Sequence, residues 1–158
     1  MRLNSPSVVK PIESAIAGHR FLQGLNPEHL RLLWDSAMRI RYDAGEFIFR
    51  EGDPANRFYL IEEGRVCLES PRRDEIAVPI QSISRGDVLG WSWLFPPYYW
   101  HFDARVVEPT TAIFFYGTRL REQCEQDHDF GYEMMKRMTQ VVIHRLQATR
   151  KELLSLRR

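Results

Sequence analysis

The chain has 158 residues, 44% of them apolar and 27% charged, and a formal net charge of +1. That size fits one core plus a long helix and excludes a second full domain. The apolar share excludes a disordered chain, and the near-neutral balance lacks the basic excess of a dedicated nucleic-acid binder.

Residues 1–11 carry Pro6, Pro11, Ser5 and Ser7 and predict a flexible leader. No apolar run follows the first charges as an export signal requires, and no stretch approaches the ~20 apolar residues of a membrane span. The two cysteines, Cys67 and Cys124, are too few for a four-thiolate cluster or a disulfide framework. A reducing cytoplasm is the expected compartment.

Ile12 to His19 predicts a short helix ending near Gly18. Asn26-Pro27-Glu28 supplies an N-cap with proline at the first helical position. Leu30, Leu32, Leu33, Trp34 and Ala37 then give an apolar face, predicting a helix over 27–37. From Met38 to Phe115 the pattern predicts strands at 38–42, 46–50, 57–62, 65–69, 75–83, 103–108 and 111–116. They are separated by turn residues at Asp43-Ala44-Gly45, Gly52-Asp53-Pro54, Gly64, Pro71 and Arg85-Gly86-Asp87. Short strands at such spacing predict a closed barrel or jelly roll.

Beyond Tyr116 the chain predicts helices over 118–124 and from Asp129 to Leu156. Met135, Thr139, Val142, Leu146, Thr149, Leu153 and Leu156 recur at alternating steps of four and three, a seam suited to a second copy of the chain. Met134, Met138 and Val141 form a neighbouring row expected to pack on the β body. The expected division is a β unit with N-terminal helices over 12–128 and a dimerisation helix over 129–158.

The stretches Phe21-Leu22-Gln23-Gly24-Leu25, Gly45-Glu46-Phe47-Ile48, Glu51-Gly52-Asp53-Pro54-Ala55, Tyr59-Leu60-Ile61 and Gly64-Arg65-Val66 share an order and spacing. Gly45, Gly52, Gly64 and Gly86 fall where tight turns favour positive φ. Over about residues 15 to 156 the chain resembles the cyclic nucleotide-binding domain family. The resemblance implies a mainly β fold with flanking helices: an eight-stranded jelly roll or double-stranded β-helix, a short helix in the phosphate cassette, and a long C-terminal helix used for dimerisation and ligand response.

In that family the cassette reads Gly-Glu-x-[Ala/Gly]-Leu and then Arg-[Ser/Thr]-Ala. The glutamate holds the ribose, and the arginine, the hydroxyl and backbone amides hold the phosphate. This chain reads Gly90-Trp91-Ser92-Trp93-Leu94-Phe95 and ends Phe102-Asp103-Ala104, with seven aromatics from Trp91 to Phe102. Tryptophan stands in the glutamate's place, phenylalanine in the arginine's and aspartate in the hydroxyl's. A charge-assisted hydrogen bond contributes about 1.5–3 kcal/mol, and a carboxylate ~5 Å from a phosphate repels it by roughly 3 kcal/mol at an effective dielectric of ~20. Such losses would weaken a micromolar ligand by on the order of a thousandfold.

Gly90, Trp91, Ser92, Trp93, His101, Phe102, Asp103, Ala104 and Arg105 are therefore candidates for a pocket that takes a flat or apolar ligand, for a self-filled core, or for a protein-docking patch. Arg105 lies close enough beyond Phe102 for a shifted loop to use it, although strand alternation places it on the same face as Asp103, where the two could satisfy each other. Leu146-Gln147-Ala148-Thr149 resembles the helix stretch in which bacterial activators of this family set a threonine against the base, making Thr149 a further candidate. No cofactor is expected. Glu125-Gln126-Asp127-His128-Asp129 has ligand types for a weak metal site, but Asp127 or Asp129 as a helix cap is the simpler reading. His101 and His144 have no context for a haem.

No nucleophile elbow, phosphate-cradling glycine loop or activated cysteine occurs, so no enzyme is expected. Arg145, Arg150, Lys151, Arg157 and Arg158 gather on the last helix, where they complement its dipole. With no helix-turn-helix following, sequence-specific DNA binding is not expected, nor is a membrane partner. The sequence thus predicts a nonenzymatic regulatory module, dimeric through its last helix, that binds another small molecule or a regulatory protein rather than cAMP or cGMP in the usual way. The alternative is a cyclic-nucleotide sensor in which Arg105 or backbone amides replace the lost contacts.

Overall fold

A computed structural model describes residues 11–72 and 75–157; the predicted leader lies, apart from Pro11, outside them. Helix α1 spans Ile12–Gly18, a 3₁₀ turn follows at Arg20–Leu22, and α2 spans Pro27–Trp34. Asn26 caps α2 by accepting from His29 N at 2.9 Å, with Pro27 pre-set for the first turn. The helix stops three residues short of the predicted Ala37. Ser36 and Ala37 bond back to Leu33 and Trp34 in tightened turns that lead directly into the first strand.

The strands are β1 (Met38–Tyr42), β2 (Phe47–Phe49), β3 (Arg57–Ser70), β4 (Val78–Ser84), β5 (Val88–Leu89) and β6 (Asp103–Tyr116). The predicted pairs 57–62 with 65–69, and 103–108 with 111–116, are continuous 14-residue strands rather than separate ones. The predicted strand 75–83 begins later, at Val78, and β5 was not foreseen. All pairing is antiparallel, in the order β1-β6-β3-β4, with β2 on β6 and β5 on β3.

Register shifts between Ile61 and Val66 bend β3 against β6. Gly64 sits in that bend with φ +105, and an added Cβ would lie 2.5 Å from the Pro109 carbonyl oxygen. Only glycine allows the two backbones to approach this closely. The bend divides the sheet in two halves: β1, β5 and the adjoining ends of β3 and β6 form one, and β2, β4 and the opposite ends form the other. The eight segments implied by the resemblance are thus present as six strands, two of them shared.

Tyr42, Tyr59, Ile61 and Phe114 from the first half meet Phe49, Val66, Leu68 and Ala104 from the second inside the roll. The other face of the first half, Phe58, Leu60, Ile113 and Phe115, packs against Ile16, Leu33, Leu120 and Phe130 of the helices. Covered on both faces, this half reads as unbroken apolar runs, 58–61 and 112–115. The second half alternates instead: Val66 and Leu68 are buried within, while Arg65 and Cys67 lie on the outer face.

Helix α3 spans Gly117–Gln126 and α4 His128–Ser155. Asp127 caps α4 by accepting from Phe130 N at 3.1 Å. Met134 and Met138 are fully buried in the helix-side core, and Val141 packs beside them. Among the described residues no helix is long and apolar enough to cross a membrane.

Candidate functional site

The chain from Gly90 to Phe102 lies between β5 and β6, where the family places its phosphate cassette. Residues 91–97 form turns rather than the implied short helix; Leu94 N bonds to Trp91 O and Phe95 N to Ser92 O. Pro96 and Pro97 then offer no N–H to continue the ladder.

The loop sends its rings in two directions. Trp100 enters the roll and stacks flat on Phe49, centroids 3.8 Å apart at 7°. Phe102 packs on the same ring at 5.8 Å, and Ile61, Leu68, Leu89 and Ala104 complete this interior. Gly90 makes room for the indole: its φ is +98, and a Cβ there would lie 2.5 Å from Trp100 Cη2. The backbone fixes the entry angle, since Trp100 N donates to Asp53 O at 3.0 Å, Gly52 N to Trp100 O at 2.9 Å and Ala55 N to Tyr98 O at 2.7 Å.

Trp93 points the other way, fully buried in the helix-side core against Phe58 at 5.6 Å. Arg121 donates to the Trp93 carbonyl and lies 4.2 Å over the Tyr98 ring. Trp91 is half-buried beside the exposed His101 at 5.3 Å. The Ser92 hydroxyl and the Trp93 indole N–H are buried without a hydrogen-bond partner among the described residues.

Strand alternation decides the fate of the charges. Phe102, Ala104 and Val106 face the interior, so Asp103 and Arg105 face outward. Asp103 accepts from Glu51 N at 2.8 Å. Arg105 donates to both oxygens of Glu69, at 2.7 and 3.4 Å, and that carboxylate holds the guanidinium above its usual range. The expected pairing of Asp103 with Arg105 is therefore absent. The strand partner directly across from Asp103 is Glu69, which takes the cation instead.

The roll interior presents rings at the positions where the family sets its phosphate contacts. The arginine's position is an inward phenylalanine, Arg105 is on the opposite face of the strand, and the Trp100 indole stacks inside. Two surface depressions, about 660 Å³ beside α3 at Asn56, Tyr116 and Arg119 and about 320 Å³ between α2 and α4 at His29, Tyr132 and Glu133, lie away from the cassette.

The candidates read from sequence are thus dispersed: Phe102 and Ala104 inside the roll, Gly90 against it, Trp93 in the other core, Asp103 and Arg105 outside, Trp91 and His101 at the surface. Thr149 is exposed on α4, its hydroxyl 3.5 Å from Gln81 Nε2. One turn earlier the helix meets the roll: Gln81 Nε2 donates to Arg145 O at 2.9 Å, and Arg145 Nη2 donates to Val88 O at 2.5 Å. Burial pushes the Arg145 guanidinium down to about 10. Sequence reasoning did not single out Trp100, Phe49, Glu69 or Glu51. Only Glu69 left a usable signal, the alternation of Arg65-Val66-Cys67-Leu68-Glu69 that sets it on the outer face with Arg105.

Of the seam residues, Met135, Leu146, Leu153 and Leu156 are 43%, 67%, 60% and 78% exposed. Thr139 and Thr149 are exposed as well, and Val142 is half-buried. Near the start of α4, Asp127 also meets His29 Nε2 at 3.4 Å. Among the described residues no group of three or more His, Cys, Asp or Glu is placed to hold a metal ion.

Comparison with known proteins agrees with this architecture. A cAMP-dependent protein kinase regulatory subunit of Emericella nidulans is 35% identical over 69 residues, which cover 44% of this chain and 16% of that protein. The chain thus matches about one sixth of the length of its curated relatives. A solved structure described as a cyclic nucleotide-binding protein of Geobacter metallireducens superimposes with TM-score 0.78 at 26% identity, covering 87% of this chain and 99% of the other. A cyclic nucleotide-binding domain from Methylobacillus flagellatus superimposes with TM-score 0.79 at 16% identity, covering 91% and 83%. The family model of the cyclic nucleotide-binding domain matches residues 39–127, more than half of the chain, and the chain belongs to that family.

Proposed function

We propose that this chain is a nonenzymatic regulatory module that does not take cAMP or cGMP in the usual way, that pairs with a second copy through residues 135–156, along α4 and its C-cap, and that binds another ligand or a protein partner. The observation that carries this reading is the stacked pair of Trp100 and Phe49 inside the roll, with Phe102 where the family sets its arginine. The outward Glu69–Arg105 pair argues against a sensor rebuilt around Arg105, because that guanidinium would have to leave its carboxylate and cross the strand. The exposed leucines of α4 support association, since a chain rarely leaves such a row open without a partner.

Calorimetric titration of the whole chain with cAMP and with cGMP tests this. The expected result is no saturable heat below high micromolar nucleotide; a tight, stoichiometric isotherm would overturn the proposal.

A further inference from the structure

Strand β5 is two residues long, and its side chains enter different cores. Leu89 lies in the roll interior with Trp100, whereas Val88 lies in the helix-side core with Met134 and Met138. The Val88 carbonyl is the acceptor for Arg145 of α4, and the next residue after β5, Gly90, is the one against which the Trp100 indole rests. A displacement of the indole therefore reaches the α4 anchor through three consecutive residues. Trp100 is also supplied by a loop, not by one of the strands that build the roll, so its ring occupies the interior as a bound molecule would.

We infer that Trp100 is a tethered occupant of the roll, holding β5 and through Arg145 the docked position of α4, and that the space it fills is a site for an uncharged planar aromatic of indole size. This rests on the reading that the interior is self-filled, and it adds what the filling does. The stacking partner Phe49 and the apolar walls Ile61, Leu68 and Leu89 suit such a molecule and offer nothing to an anion.

The test is Trp100→Gly, with indole as the probe, followed by thermal melting and by amide hydrogen exchange of residues 141–149. Loss of the ring lowers Tm by about 10 °C and speeds exchange in this part of α4 by more than about tenfold. Millimolar indole restores both. Val66→Ala is the control, a change in the same interior that is not in the ladder with β5: it lowers Tm, leaves exchange of 141–149 no faster than the loss of global stability requires, and does not respond to indole.

Wild-type exchange of α4 in Trp100→Gly, or no response to indole, overturns the inference. If that variant does not fold, Trp100→Phe carries the coupling test, and exchange of 141–149 that matches Val66→Ala at equal stability overturns it. Nucleotide binding by wild type would defeat the underlying reading instead, a result separate from either of these.

Discussion

Leu146→Glu should convert an associating chain into a monomer. Leu146, Leu153 and Leu156 are 67%, 60% and 78% exposed. Burying a leucine completely contributes about 1.5–3 kcal/mol, so each of these has ~1–2 kcal/mol still to gain. Summed over the three leucines of both copies, the gross gain is about 6–12 kcal/mol, against an association cost of about 4–15 kcal/mol. The predicted dimer is therefore of moderate affinity and sensitive to one substitution. Leu146→Glu removes ~2–4 kcal/mol across two copies and sets like charges against each other in the seam, weakening association by roughly 30- to 1000-fold. Sedimentation velocity at tens of micromolar protein reads the change directly. Leu154→Glu is the control, since Leu154 is 59% exposed but lies off the seam, and it should leave the sedimentation coefficient unchanged. A wild-type chain that is monomeric at this concentration, or equal effects of the two variants, would refute the reasoning.

Two further outcomes concern stability. Gly64→Ala places a Cβ 2.5 Å from the Pro109 carbonyl oxygen and 2.6 Å from Thr110 Cα at φ +105; a cost of about 3 kcal/mol lowers Tm by about 6–12 °C. Gly18→Ala, with nothing within 4 Å, should change Tm little, and equal effects at the two sites would contradict the close approach in the bend. His19 is buried, its Nδ1 accepting from Phe21 N and its Nε2 3.3 Å from Ile61 O, and burial holds its pKa below the ordinary 6.5. The unfolded chain therefore binds the proton more readily, and the contribution of His19, constant above pH 6.5, declines as the pH falls below that value toward the folded pKa. Denaturant midpoints should drop more steeply on acidification in wild type than in His19→Gln, and parallel curves would show that the ring carries no such linkage.

How far the sequence could be read follows from the physics of each element. The alternation of 65–69, the turn glycines and the N-caps are local signals, and they located most strands and all of the main helices. The merging of strands at Gly64 and the two-residue β5 depend on long-range pairing with β6 and β3, which no local window contains. Within the site, the charge substitutions at Trp91, Phe102 and Asp103 were legible because each position has a defined task in the family. The choice of ring that fills the interior was not. Trp91, Trp93 and Trp100 are equivalent as apolar residues, and only the path of the loop, fixed by backbone bonds from Trp100 to Gly52 and Asp53, sends Trp93 into the helix-side core, Trp91 against its edge and Trp100 onto Phe49. Alternation sets Arg105 on the outer face with Asp103, but its partner Glu69 comes from another strand, which sequence proximity does not reveal.

Helix α4 has 28 residues, a rod of about 42 Å; its fully buried side chains, Phe130, Met134 and Met138, lie in its first half, and Arg145 tethers it to Val88 further along. Mechanically it is a lever with a short, greased fulcrum. With the Arg145 tether to Val88 released, a tilt of ~5° about Phe130 carries the tip near Ser155 through about 3 Å, the axial rise of two helical residues. A minor rearrangement at the base would thus reach the far end as a displacement large enough to alter the proposed pairing of two copies.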